Sequence, residues 1–265
     1  MTRFAIYPNA MSSMSSRDLA IKLREQGFDA LRVYPDRNYR PRQGDIIINW
    51  GNSHIPNWGW SIDFAWATFV NHPKYVELSI NKIKSFERMQ EQGVSVPLST
   101  TIMNEAKEWA RDGVISPIVV CRTLVSAHAG RGIVIATNPD EVVEAPLYTK
   151  HVRHKREFRV HILNGRVIDF TEKKKAIDRE VLNDYVRNHG NGWVFCRENI
   201  DLPEDCKLQA INAVRALGLN FGAVDIAYRE REDKAFVLEV NTAPGFDIES
   251  TTLKRYVEAF IREYT

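Results

Sequence analysis

The segment FVLEVNTAPGFD, from Phe236 to Asp247, restricts the possible folds of this chain more than any other. An apolar strand carries one acid, Glu239, and two residues later an amide, Asn241, just before the turn at Pro244-Gly245. Upstream, FGAVDIAYRER, from Phe221 to Arg231, reads as a partner strand with a single acid, Asp225. With Arg231–Asp233 as the hairpin tip, Asp225 and Glu239 lie nearly opposite each other. Side-chain alternation then puts Asn241 on the same face as Glu239. The other face is predicted to carry Val224, Ile226 and Tyr228 against Phe236, Leu238 and Val240. Ala223, Ala227 and Ala235 would keep the polar face small and flat. Two opposed carboxylates repel each other unless a cation lies between them. Hard oxygen donors of this kind suit magnesium, which keeps waters and also binds phosphates. A solvated outer sheet face with incidental acids is the alternative.

The rest of the chain alternates strands and helices. RFAIYP is a predicted strand, followed by a helix over SSRDLAIKLREQG with Ser15 and Asp18 in capping-box spacing and Gly27 as its stop. ALRVYP and DIIINWG read as further strands, and this order predicts parallel pairing in a doubly wound layout. NWGNSHIPNWGW then gathers turn formers and tryptophans, either to anchor a loop or to line a substrate-facing strand end. In SINKIKSFERMQEQG, residues Ile80, Ile83, Phe86 and Met89 recur at helical spacing up to Gly93. A short strand at SVPLST, a helix at NEAKEWARDG and a strand at PIVVCRT follow; SAHAGRGIVIA is a glycine-containing loop leading into a second strand, and APLYTKHV is another. EFRVHILNGRVIDFTEKKKA is a hairpin turned by Asn164-Gly165. LPEDCKLQAINAVRALG and ESTTLKRYVEAFIREY complete the helices.

Composition narrows the function. A chain of 265 residues with 44% hydrophobic residues can bury a substantial core, and a net charge of +2 does not by itself point to nucleic acid or membrane. Cys121, Cys196 and Cys206 have no metal-ligand spacing and fit a reducing compartment, so a cytoplasmic location is expected. The start MTRFAIYPNA lacks the apolar core of a signal peptide, and no apolar run approaches a membrane span.

Taken in order, these pieces resemble the ATP-grasp superfamily, specifically its carboxylate–amine ligase branch, which includes bacterial glutamate-adding ligases, glutathione synthetases and D-Ala–D-Ala ligases. NKIKSFERMQEQGVSVPLST is similar to the family's opening helix and proline-containing strand. VVCR and the glycine loop resemble its phosphate-contacting strand and lid. EFRVHILNGRVI resembles its arginine-bearing hairpin, and FGAVDI with LEVNTAPG its metal-binding hairpin. The resemblance is strongest between residues 80 and 246. It implies an α/β chain in which a small Rossmann-like domain, residues 1–74, precedes an ATP-grasp domain, residues 75–265. That domain divides into a lid subdomain at about 115–150 and a catalytic subdomain at about 151–265.

The same resemblance implies roles for individual residues. Lys82 reaches the ATP phosphates, and Arg122 stands where relatives carry a phosphate-contacting lysine, keeping the charge on a wider, forked head. Gly130 and Gly132 let the lid backbone approach phosphate. Lys150, His151 and Val152 form the hinge strand whose backbone reads adenine. Arg159 holds the transferred phosphoryl group or the substrate carboxylate, and Lys173 and Lys174 lie near the phosphates. Arg187 and Asn191 belong to the acyl-acceptor segment. Asp225, Glu239 and Asn241 hold Mg²⁺, or Mn²⁺ in its place. The implied reaction activates a small-molecule or peptide carboxylate with ATP and joins it to an amine, releasing ADP and phosphate. An ATP-grasp kinase and a nucleotide-binding protein without catalysis are the alternatives. Arg159 also has a structural alternative, pairing with Glu157, Asp169 or Glu172.

Overall fold

The N-terminal strand β1 (Arg3–Pro8) is buried along nearly its whole length, as a run of apolar residues in the middle of a parallel sheet must be. It pairs in parallel with β2 (Asp29–Arg32) and β3 (Asp45–Trp50), and β4 (Thr68–Val70) extends the sheet beyond β3. The computed structural model describes residues 2–35, 39–58, 66–111, 117–126 and 131–265. Helix α1 (Met14–Glu25) links β1 to β2. Its cap is Ser13, whose hydroxyl accepts from the Ser16 amide, not the Ser15–Asp18 pair that spacing suggested. Ser15 instead accepts a hydrogen bond from the Trp50 indole at 3.0 Å, inside the core. Trp58 packs edge-on against Tyr7 and Tyr39, so this part of the tryptophan-rich loop anchors the chain; Gly59 and Trp60 lie outside the described residues.

The helical pattern around residue 80 resolves into two helices, α2 (Pro73–Ile80) and α3 (Lys82–Glu91). Asn81 ends the first in an extended conformation and caps the second by accepting from the Lys84 amide. This break sets Lys82 at the first position of α3. Strand β5 (Ser99–Thr100) and helix α4 (Met103–Arg111) lead to β6 (Val119–Arg122), β7 (Ile133–Ala136) and β8 (Leu147–Lys150). These strands form an antiparallel sheet in the order β5-β8-β6-β7, with α4 packed on one side.

A second antiparallel sheet, ordered β11-β10-β9-β12-β13, carries Arg159, Asp225 and Glu239. Its strands are β9 (Arg156–Leu163), β10 (Arg166–Lys175), β11 (Trp193–Cys196), β12 (Phe221–Arg229) and β13 (Lys234–Asn241). Asn164 and Gly165 both take positive φ at the β9–β10 turn, the backbone a two-residue hairpin needs. Helix α5 (Glu204–Ala216) covers one face of the sheet, in a core built around Phe158, Val160, Val224 and Ile226. Helix α6 (Thr251–Tyr264) packs instead with α1 and the first sheet, where Trp50 stacks on Phe221 at 5.1 Å. Asn71, at positive φ and fully buried, joins the two sheets: its side chain accepts from the Asn220 amide and donates to the Phe221 carbonyl. Strands β4 and β11 are too short to announce themselves by alternation.

Two bulges decide which side chains face which way. The tip of the last hairpin spans Glu230–Asp233, one residue longer than expected, and Leu238 is an extra residue on β13. The bulge brings Asp225 opposite Glu239 despite the longer tip. It also reverses the expected alternation below it: Ala235 and Val237 enter the core, whereas Phe236 and Leu238 line cavities on the polar side. Among the described residues, no helix is long and apolar enough to cross a membrane.

Candidate active site

The sheet register builds the site. Arg159 on β9, Asp225 on β12 and Glu239 on β13 are consecutive cross-strand neighbours, with Thr171 of β10 on the far side of Arg159. Arg159 grips Asp225 through two parallel bonds, Nε–Oδ1 at 2.6 Å and Nη2–Oδ2 at 2.8 Å. Lys173 adds a third, 3.1 Å from Asp225 Oδ2, and also holds Glu157 Oε1 at 2.6 Å. Beside this pair, Glu239 accepts from Lys82 at 2.9 Å and from the Asn241 amide at 3.0 Å. Arg159 therefore pairs with an acid expected in the metal set. The other candidate partners are taken: Glu172 is bound by Arg156 and Asp169 by Arg197.

The electrostatics follow from burial opposed by neighbours. Burial alone would raise the Asp225 carboxyl, but the Arg159 and Lys173 charges outweigh it and hold the group well below the usual carboxylate range. Glu239 is likewise lowered: Lys82 overcomes the effects of burial and of Asp225. Glu157, fighting burial with Lys173 and His154 beside it, falls to about 2. Both opposed acids are therefore anionic at neutral pH, each already supplied with a cation.

These groups line a cavity of about 380 Å³ beneath the β6–β8 sheet. Of the residues singled out from sequence, Arg122, Lys150, His151, Val152, Arg159, Lys173, Arg187, Asp225, Glu239 and Asn241 all border it. Lys82 and Gly132 border a small adjoining recess with Arg122 and Glu239. Gly132 takes φ +70°, and a Cβ there would stand 2.8 Å from Leu124. Gly130 lies outside the described residues. Lys174 and Asn191 are not brought in. The β10 bulge at Ile168 turns Lys173 inward, so Lys174 points to the opposite face, 4.0 Å from Glu172. The Asn191 amide donates to the Val186 carbonyl and shapes the loop. Arg187 enters with its head stacked on Trp193 and its Nη atoms donating to the His154 and Lys155 carbonyls.

Arg122 is the group with the clearest demand for a ligand. Its guanidinium is buried, Nε has no hydrogen-bond partner, and desolvation pushes its pKa down against the pull of Glu239. A buried unsatisfied cation is costly, and an anion in the cavity would relieve it. Two carboxylates and an amide stand on the same cavity wall. This donor chemistry fits a magnesium–nucleotide pair: the hard oxygens would suit the metal and the arginine would suit phosphate.

Glu157 and Phe195 also line this cavity; from the sequence Glu157 was expected only as a structural partner for Arg159, and Phe195 not at all. Glu157 precedes Arg159 by two residues on the same strand face, so the alternation E-x-R was a usable signal. Phe195 lies under the Arg159 guanidinium at 4.8 Å, but β11 gave no pattern from which to find it.

His161, two residues past Arg159, faces Tyr256, with Nδ1 3.1 Å from the phenol oxygen. Burial, with help from Arg159, pushes its pKa down to about 3. Below pH 6.5 the unfolded chain binds a proton here that the folded chain does not, so stability falls as pH drops from about 6.5 toward 3. The expected slope from this group is about 1.4 kcal/mol per pH unit. His161→Gln should flatten the dependence of the urea midpoint on pH between about pH 6.5 and 5, above the range of the carboxylates. An unchanged slope would place the acid sensitivity elsewhere.

Together, the two antiparallel sheets and the cavity between them define an ATP-grasp fold of the kind found in carboxylate–amine ligases. The chain superposes on the ATP-grasp ligase PsnB, solved with a precursor variant, Mg and ADP, with a TM-score of 0.70, 12% identity, and coverage of 100% of this chain and 99% of the other. It superposes on the D-alanine–D-alanine ligase of Bacillus anthracis with a TM-score of 0.67, 15% identity, and coverage of 98% and 93%. In sequence it is similar to a probable alpha-L-glutamate ligase of Teredinibacter turnerae, 26% identical over 222 residues, spanning 78% of this chain and 68% of the relative. Across relatives carrying that same name, the chain spans from 52% to 89% of their length. No family model matches the chain.

Proposed function

We propose that this protein is an ATP- and magnesium-dependent ligase that activates a carboxylate as an acylphosphate and joins it to an amine, releasing ADP and phosphate. The observation that carries this reading is the buried Arg122 guanidinium, whose Nε has no hydrogen-bond partner, on the same cavity as Arg159, Asp225 and Glu239. In this reading Lys82 and Arg122 hold phosphate oxygens, and the backbone of Lys150–Val152 meets the adenine. Asp225, Glu239 and Asn241 would hold magnesium, which neutralises phosphate charge. Arg159 and Lys173 keep Asp225 ionised and in place. The domain division expected from sequence, 1–74 and 75–265, is proposed with it. A small-molecule or peptide carboxylate is the proposed substrate, and the three free thiols suit a cytoplasmic setting.

The chemistry follows from those roles. A carboxylate is a poor electrophile, because its leaving group is oxide or hydroxide. Phosphorylation converts that oxygen into a good leaving group, and an amine can then attack. Phosphoryl transfer asks a protein for alignment and charge neutralisation more than for covalent help. In this reading the cations around the cavity supply that charge, and Arg159 would also face the oxyanion formed on amine attack.

The test is a panel of amino acids and peptides, scored for ADP, free phosphate and amide product. Equal yields of all three are expected with the right pair. ADP and a phosphorylated acceptor without free phosphate would mean a kinase. Tight ATP binding with no ADP across the panel would mean a binding protein.

A further inference from the structure

A second concavity, about 910 Å³, shares the hinge residues Lys150–Val152 and His154 with the site cavity but opens beyond them. Its apolar lining residues include Pro97, Leu98 and Phe236. Its basic ones are Lys150 at the end of β8, Arg153 and Lys155 just after it, and Arg229 and Arg231 from the last hairpin. Glu230 and Glu232 are the only acids among its described lining residues, and Glu232 is bound to Arg229 at 3.2 Å. Arg153, Lys155 and Arg231 are exposed and make no ion pair with a described residue. Two separate chain segments thus place like charges around one groove. Such an arrangement is complementary in charge to an anionic partner lying between the segments.

We propose that this groove docks an acidic polypeptide segment, with Arg153, Lys155 and Arg231 meeting its carboxylates and the exposed Leu98 packing against its apolar side chains. The proposal concerns a binding surface and does not depend on the ligase reading. A nucleic acid fits less well. Single strands bind by stacking bases on open aromatic faces. Among the described lining residues the one aromatic ring other than histidine is Phe236, and Arg229 and Lys234 already sit over it at 5.0 and 5.2 Å. The interleaved Glu230 and Glu232 would also oppose a continuous phosphate backbone, whereas a peptide can place neutral residues opposite them.

The test is fluorescence anisotropy with a labelled oligoglutamate peptide and the full chain, without nucleotide. Saturable binding that weakens as salt rises is expected. Combining Arg153→Glu, Lys155→Glu and Arg231→Glu should weaken it by about tenfold or more, since a like-charge rim repels the ligand it had attracted. Combining Lys107→Glu, Arg111→Glu and Arg255→Glu, an equal charge change away from the groove, should leave binding within about twofold. Circular dichroism confirms that both variants fold. Equal weakening in the two variants would reduce the effect to net charge and overturn the proposal, as would no binding at low salt. Competition by a single-stranded oligonucleotide stronger than by unlabelled peptide would also overturn it and assign the groove to nucleic acid. Because no turnover is measured, a failed ligase assay leaves this result intact.

Discussion

Glu239→Ala is expected to remove ATP-dependent turnover while leaving a folded protein. The side chain is not part of the sheet core; its oxygens face the cavity and accept from Lys82 and Asn241. Its loss frees Lys82 and removes one of the two carboxylates placed to hold magnesium. The expected fall in kcat/KM is about a hundredfold or more, the scale at which losing one electrostatic contact to developing charge is felt. Glu239→Gln should fall nearly as far, since the amide keeps the shape but not the charge. Thermal unfolding should change little in either variant, whereas the stabilisation that ATP and magnesium give the wild type by mass action should shrink. Normal turnover in Glu239→Ala would remove this residue from the chemistry.

Arg159 should respond in two measurements rather than one. Its fork on Asp225 is the best-formed ion pair of the site, and Asp225 is buried. Arg159→Ala leaves that carboxylate with Lys173 alone, and breaking a buried pair of this kind costs about 3–5 kcal/mol. The variant should therefore be visibly less stable in urea. Arg159→Lys separates the roles. A lysine can hold one Asp225 oxygen but cannot form the fork, so most of the stability should return while turnover stays low. Recovery of both together would make Arg159 a structural residue only.

The parts of this account that were legible in the sequence are those where chemistry and spacing coincide. The paired acids with Asn241 and Pro244-Gly245, the Asn164-Gly165 turn and the arginine within β9 each have a local physical signature. The inward and outward senses of the strands were less legible, because each bulge inserts one residue and reverses the alternation beyond it. This is why Lys173 and Lys174 could not be told apart from sequence: a regular β9–β10 hairpin would have turned Lys174 inward, and the extra residue at Ile168 turns in Lys173 instead. The same effect sent Phe236 and Leu238 out of the core they were expected to join. The fork from Arg159 to Asp225 spans 66 residues, and only the β9–β12 pairing brings its ends together. The capping of α1 was misread for a smaller reason, since several serines stand within reach of that helix start and the core indole took Ser15.

Phosphorylation of the carboxylate itself can be followed with an ¹⁸O-labelled carboxylate substrate, found with the panel, by analysing the released phosphate by mass spectrometry. Transfer of one labelled oxygen from each carboxylate to phosphate is the predicted result, because the bridging oxygen of the acylphosphate departs with phosphorus when the amine attacks. Amide formation with no label in the phosphate would contradict it.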